Sequence, residues 1–251
     1  MNKNFEQRLN YNTKLVKYNC NLKLAYSILS PANMKKYIIL ILITQFFVLT
    51  SFAQNKPPFW DDVQTIKKYD QMFKPPVNPV LFVGSSSIRK WDDLTQVFAK
   101  YNALNRGIGG AVVNDIARYL NDIVFPYNPR QIIIYVGEND IVNDNVTADT
   151  VLNRTINLYK SIRAKLPNVP IAYISIKPSP SRDKFRDKAI GANALIKNFL
   201  SGEKNTAYID IFPSMLKDGK GRTELYVGDM LHMNAAGYAI WKKAVKPYLI
   251  K

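Results

Sequence analysis

Cysteine and histidine are nearly absent from this chain: its 251 residues contain one of each, Cys20 and His232. A disulfide framework is thereby excluded, and so is a lipid-anchored cysteine, because no cysteine follows the apolar run near the N-terminus. Beyond Cys20 the single imidazole leaves the chain poor in ligands for a transition metal. Carboxylates are scarce as well, with 19 Asp+Glu against 35 Lys+Arg and a formal net charge of +16. That balance favours anionic surroundings such as phospholipid headgroups or acidic polysaccharide, although scattered basic residues are ordinarily solvated surface. No basic run is interleaved with aromatics, which argues against a nucleic-acid partner. From Pro57 onward there is no repeat, no low-complexity tract and no long linker, so residues 54–251 read as one domain.

A membrane-spanning run is also missing. Tyr37 to Phe52 is apolar but shorter than the ~20 residues a spanning helix needs, and Thr44 and Gln45 interrupt it. Met34-Lys35-Lys36 precedes it and Thr50-Ser51-Phe52-Ala53 closes it. A basic start, an apolar centre and a small-residue end make residues 34–53 a secretory signal peptide cleaved near Gln54. Residues 1–33 then read as an upstream extension ahead of a start at Met34. The expected location is secreted or periplasmic, with no stable membrane anchor after cleavage.

What remains alternates between strand-length apolar runs and segments of helical period. The strands are expected at Val80 to Val83, Tyr101 to Asn105, Gln131 to Val136, Ile171 to Ser175 and Ala207 to Ile211. A leading helix spans Phe59 to Phe73, closed by Lys74-Pro75-Pro76. Further helices are expected at about Ile88 to Lys100, Val112 to Ile123, Asp149 to Leu166 and Asp187 to Leu200. In the third of these, Leu152, Ile156, Tyr159, Ile162 and Leu166 mark the buried stripe. Asn234 caps a last helix that places Tyr238, Trp241, Val245 and Tyr248 on one face. Apolar strands alternating with amphipathic helices indicate an α/β domain whose parallel sheet is covered on both faces. Its ligand site belongs outside the carboxyl ends of the strands.

The chemistry-bearing segments fall at such ends. Gly84-Ser85-Ser86-Ser87 follows the first strand, Asn105-Arg106-Gly107-Ile108-Gly109-Gly110 the second and Gly137-Glu138-Asn139-Asp140 the third, while Asp229-Met230-Leu231-His232 precedes the last helix. A serine at a strand-to-helix turn exposes its hydroxyl where backbone N–H groups face any developing negative charge, though serine also simply caps helices. Gly109 and Gly110 allow close backbone approach to a ligand or merely make a tight turn. Asn139 is able to donate an amide into an oxyanion hole or to serve ordinary turn chemistry. An imidazole three residues from a carboxylate has its tautomer fixed and its imidazolium stabilised.

Together these blocks resemble the SGNH or GDSL-type esterases and lipases, in that family's order and across about Leu81 to Tyr248. The resemblance implies a single three-layer α/β/α domain with a five-stranded parallel sheet of flavodoxin-like topology. It also implies that Ser86 is the nucleophile, Gly110 and Asn139 oxyanion-hole donors, and Asp229 and His232 the rest of a triad. Ser85 stands where the family has Asp, which leaves Ser85 and Ser87 as rivals for the nucleophile. Ile176-Lys177-Pro178-Ser179-Pro180-Ser181-Arg182 resembles a stretch found in a bacterial branch of the family. The implied reaction is hydrolysis of acyl esters of a glycan or lipid, such as an O-acetylated sugar or lysophospholipid, through an acyl-enzyme and without metal or cofactor. The alternative is a secreted module binding a carbohydrate or anion without reacting; Asp229 with His232 discriminates against it, since a binder has no need of an oriented imidazole.

Overall fold

Val80–Gly84 (β1), Ala103–Gly107 (β2), Gln131–Tyr135 (β3), Ile171–Ile174 (β4) and Thr206–Ile209 (β5) pair in parallel, in the spatial order β2-β1-β3-β4-β5. The computed structural model describes residues 56–251 together with Pro31 and Lys35, and the chain divides into two units, Met1–Lys56 and Pro57–Lys251. The apolar run Tyr37 to Phe52 and Cys20 lie outside the described residues. Among those described, no helix is long and apolar enough to cross a membrane.

The helices of the second unit are Trp60–Met72 (α1), Ser86–Arg89 (α2), Leu94–Val97 (α3), Val113–Arg118 (α4), Leu120–Ile123 (α5), Ala148–Lys165 (α6), Arg186–Ser201 (α7) and Ala235–Val245 (α8). Side chains alternate across a strand, and here both alternations are apolar. Leu81, Val83, Ile132, Ile134, Ile171 and Tyr173 face one core, shared with Val63 of α1, Ile116 of α4, Ile162 of α6 and Ile196 of α7. Val80, Phe82, Ile133, Tyr135, Ala172 and Ile174 face the other, shared with Trp91, Phe98, Tyr238 and Trp241. The sheet is thus the middle of three layers. Because β2 and β3 flank β1 on opposite sides, the order reverses at β1, and in such sheets the ligand site belongs outside the carboxyl end of that strand.

Several expectations shift. The helix expected over Ile88 to Lys100 is two short ones: α2 stops at Arg89 and the chain turns at Trp91, which packs against Phe82, Phe98, Tyr238 and Trp241. Tertiary packing of that indole overrides the helical period. The next helix divides at Tyr119, whose hydroxyl donates to the Pro58 carbonyl (2.6 Å). β2 begins at Ala103, because Tyr101 closes a 3₁₀ turn. The buried stripe of α6 is Val151, Thr155, Leu158, Tyr159 and Ile162, rotated from the expected one, and Leu152, Ile156 and Leu166 are half-buried. Tyr248 lies in a 3₁₀ turn past α8 and is exposed. A small hairpin, Leu216–Lys217 (β6) with Lys220–Gly221 (β7), is an addition to the expected elements.

Candidate active site

The end of β1 is shaped by what cannot fit there. A Cβ at Gly84 would lie 1.8 Å from the Tyr135 carbonyl oxygen, so a side chain would drive β1 and β3 apart. Ser85 continues that contact, its N–H donating to the same oxygen (2.9 Å). The Ser85 carbonyl then accepts from Ile88 (3.0 Å) and Arg89 (3.1 Å), which starts α2. Ser86 is the first residue of α2, so its N–H has no carbonyl to reach inside the helix. Next door, the Ile108 N–H donates to the Gly84 carbonyl (2.8 Å), and a Cβ at Gly107 would meet the Arg89 nitrogen at 2.3 Å. Asn105 completes the seam, donating to the Ile88 carbonyl (2.6 Å) and accepting from the Gly107 N–H (3.0 Å). The first and second blocks are therefore bound to each other by backbone contacts.

The loop carrying His232 is closed by an antiparallel bridge between Tyr226 and Met233, and the Val227 N–H donates to the His232 carbonyl (2.8 Å). Asp229 Oδ1 accepts from the N–H groups of Leu231 (2.9 Å) and His232 (2.8 Å). Its Oδ2 lies 2.6 Å from His232 Nδ1. Burial pushes the Asp229 carboxyl upward, but the bonds from the His232 ring and from the two backbone N–H groups outweigh it and hold the group well below the usual carboxylate range. On the far side of the ring, His232 Nε2 lies 3.0 Å from Ser86 Oγ. Immediately after the loop, Asn234 accepts from the N–H groups of Ala236 (2.9 Å) and Gly237 (3.2 Å), so the imidazole is anchored to the start of α8.

The structure separates the three serines. Ser86 Oγ alone of their hydroxyls pairs with His232, whereas the Ser87 hydroxyl is buried without a hydrogen-bond partner and Ser85 is likewise buried. Asn139 follows β3, and its amide donates to the Ala111 carbonyl (3.1 Å), which leaves its second N–H available. Gly110 adopts φ +82 in the turn before α4 with the Phe59 ring beside it. Asp140 is buried, accepting from the Val113 N–H (3.0 Å) and from Arg154 (2.7 Å), so it ties the Asn139 turn to α4 and α6. Burial raises the Asp140 pKa against the pull of Arg154.

Sequence pattern does not disclose three of these features. Lys90 places its ammonium 3.4 Å from His232 Nδ1. Asp140 and Arg154 pair across fourteen positions. Lys177 and Glu138 form a buried ion pair beneath the Asn139 turn. Only the unusual Ile176 to Arg182 stretch hints at the last. Among the described residues no three His, Cys, Asp or Glu side chains are grouped to hold a metal ion.

Residues 82–240 match the model of the GDSL-like lipase/acylhydrolase family. The chain is 23% identical over 177 residues to the platelet-activating factor acetylhydrolase IB subunit alpha1 of Pongo abelii, covering 68% of this chain and 75% of that one. Among solved structures it is similar to a GDSL-like lipase from Bacteroides thetaiotaomicron (TM-score 0.63, 18% identity, 74% of this chain and 96% of that one). It is also similar to a family 3 carbohydrate esterase from Clostridium thermocellum (TM-score 0.55, 17% identity, 69% and 98%). The parallel sheet with helices on both faces is the SGNH/GDSL hydrolase fold, and the chain belongs to the GDSL-like lipase/acylhydrolase family. It is a carboxylic ester hydrolase, which sets aside the non-catalytic binding module.

Proposed function

We propose that the protein is an exported serine esterase that hydrolyses acyl esters of a glycan or lipid, such as an O-acetylated sugar or a lysophospholipid. The observation that carries this reading is the continuous chain from Ser86 Oγ to His232 Nε2 (3.0 Å) and from His232 Nδ1 to Asp229 Oδ2 (2.6 Å). With Asp229 ionised, the proton on Nδ1 is directed to the carboxylate and Nε2 is left as the base. Ser86 gives its proton to Nε2 as its oxygen attacks the ester carbonyl; His232 then passes that proton to the departing alcohol, and water reverses the steps to release the acid. The Ser86 and Gly110 N–H groups and the Asn139 amide receive the oxyanion, where one donor typically contributes about 100- to 1,000-fold in turnover. Export supports glycan and lipid esters over intracellular acyl thioesters, and residues 34–53 with their basic start and small-residue end support export.

The test is twofold. A fluorophosphonate probe is expected to label Ser86, and a panel of nitrophenyl acyl esters and acetylated polysaccharides to show hydrolysis; labelling at Ser85 or Ser87 instead would refute the assignment. N-terminal sequencing of the exported protein is expected to begin near Gln54, and an intact Met34 on a membrane-bound form would refute cleavage.

A further inference from the structure

The proposed mechanism leaves unused a buried ion pair beside the site. Lys177, just past β4, is fully buried, and its ammonium lies 2.7 Å and 2.5 Å from the two carboxylate oxygens of Glu138 and 2.7 Å from Ser179 Oγ. Glu138 also accepts from the hydroxyls of Ser179 and, at 2.9 Å, Tyr135. Its lone pairs are thus satisfied, and the Tyr135 and Tyr226 rings flank the ammonium at 6.0 Å and 5.8 Å. A hydrophobic pair of similar volume is commonly as stable as a buried ion pair, so stability alone does not account for this one.

Its connections suggest what does. Glu138 adjoins Asn139, the proposed oxyanion donor. The segment that begins at Lys177 docks the histidine loop twice: the Pro178 carbonyl accepts from the Tyr226 hydroxyl (3.2 Å), and the Ser181 N–H donates to the Met230 carbonyl (3.0 Å), between Asp229 and His232. The hairpin beyond β5 presses on the same segment, since a Cβ at Gly221 would meet the Pro178 oxygen at 2.2 Å. One short segment therefore spans the distance between the oxyanion turn and the proton-transfer loop, and the Lys177–Glu138 pair fixes its origin.

We infer that Lys177 and Glu138 are positioning residues for ester hydrolysis: the pair holds the Asn139 turn and the Asp229–His232 loop in register with Ser86, and the ammonium neutralises a carboxylate that would otherwise oppose the oxyanion. The inference rests on the serine-esterase reading above. The groups facing Glu138 are Lys177 and Ser179 after β4, Tyr135 on β3 and Tyr226 before α8, with Arg182 and Asp229 acting on Lys177 at longer range. Burial lowers the Lys177 pKa and Glu138 opposes that shift. Without Lys177, Glu138 would stand as a buried carboxylate stripped of its counter-charge.

The experiment compares Lys177→Met, Glu138→Gln and the double variant Lys177→Met/Glu138→Leu, with kcat expressed per active site titrated by a fluorophosphonate. Lys177→Met is expected to lose about 100-fold in kcat with KM little changed, the scale of a displacement of about 1 Å at the reacting atoms. Glu138→Gln should lose less, again in kcat with KM little changed. The double variant should stay folded and retain a reduced kcat. A folded double variant with wild-type kcat, or a loss in Lys177→Met that falls on KM with kcat unchanged, would overturn the inference. A wild-type enzyme that neither labels at Ser86 nor hydrolyses esters would instead remove the serine-esterase reading itself.

Discussion

Replacing Asp229 by Asn probes the proposed triad with little disturbance of shape. Asp229 accepts three hydrogen bonds, two at Oδ1 from backbone N–H groups at 2.8 and 2.9 Å and one at Oδ2 from His232 at 2.6 Å. An asparagine keeps the first two through its carbonyl oxygen, so the loop retains its form, but it turns an amide N–H toward Nδ1. That donor requires Nδ1 to be unprotonated, which moves the ring proton to Nε2, opposite Ser86. Lys90, a donor 3.4 Å from Nδ1, reinforces the same tautomer. Nε2 is then unable to accept the Ser86 proton, and the expected loss in kcat is about 10,000-fold, as when a triad carboxylate is replaced by its amide elsewhere. That corresponds to about 5 kcal/mol in the barrier. Steady-state hydrolysis of a nitrophenyl ester measures it, with circular dichroism reporting the fold. A folded Asp229→Asn protein retaining more than about a tenth of wild-type kcat would refute the tautomer argument.

The same substitution has a pH signature in stability: a carboxyl whose folded pKa is depressed contributes stability that is complete above its unfolded pKa of about 3.9 and is lost as pH falls through the lower folded value. The melting-temperature advantage of wild type over Asp229→Asn should therefore shrink as pH falls below about 4; a difference that grew in acid would contradict it. Ser86→Ala should abolish fluorophosphonate labelling, whereas Ser87→Ala, which removes a buried hydroxyl with no partner, should leave activity intact and cost no stability on urea denaturation. Gly84→Ala should destabilise by about 3 kcal/mol or more, near the top of the range for single substitutions, because its methyl would sit 1.8 Å from the Tyr135 carbonyl; a loss under about 1 kcal/mol would show that β1 and β3 separate easily. Trp241→Ala, which empties a fully buried site against Trp91, Tyr135 and Tyr238, should cost about 3–5 kcal/mol by the same measurement.

The strands are legible in sequence because a sheet covered on both faces demands unbroken apolar runs, and Val80 to Val83 or Ile171 to Ile174 offer nothing else. Helix continuity is less legible, since it depends on partners distant in the chain. Trp91 ends a helix by joining an aromatic cluster that includes Trp241, and Tyr119 by reaching back to Pro58. The small hairpin carries a local signal in Asp218-Gly219, both at positive φ as a two-residue hairpin turn requires. Its strands lack alternating apolar residues, so periodicity passes over it.

The site divides in the same way. Residues that meet the substrate in the proposed mechanism sit in short blocks whose residue types are dictated by chemistry, and Ser86, Asp229 and His232 fall into one hydrogen-bonded line. Residues that hold those blocks in place have no such constraint on type. Asp140 closes the Gly137 to Asp140 block, and the structure puts Arg154 and the Val113 N–H on its two oxygens. The sequence names no partner for Lys177, and the structure places Glu138 and Ser179 around it in the interior. A charge placed in a core announces itself only through its partner, and here the partner lies one strand away, 39 positions back along the chain. The supporting layer of this site is therefore a property of the fold that pairs β3 with β4, and it becomes readable only once that pairing is known.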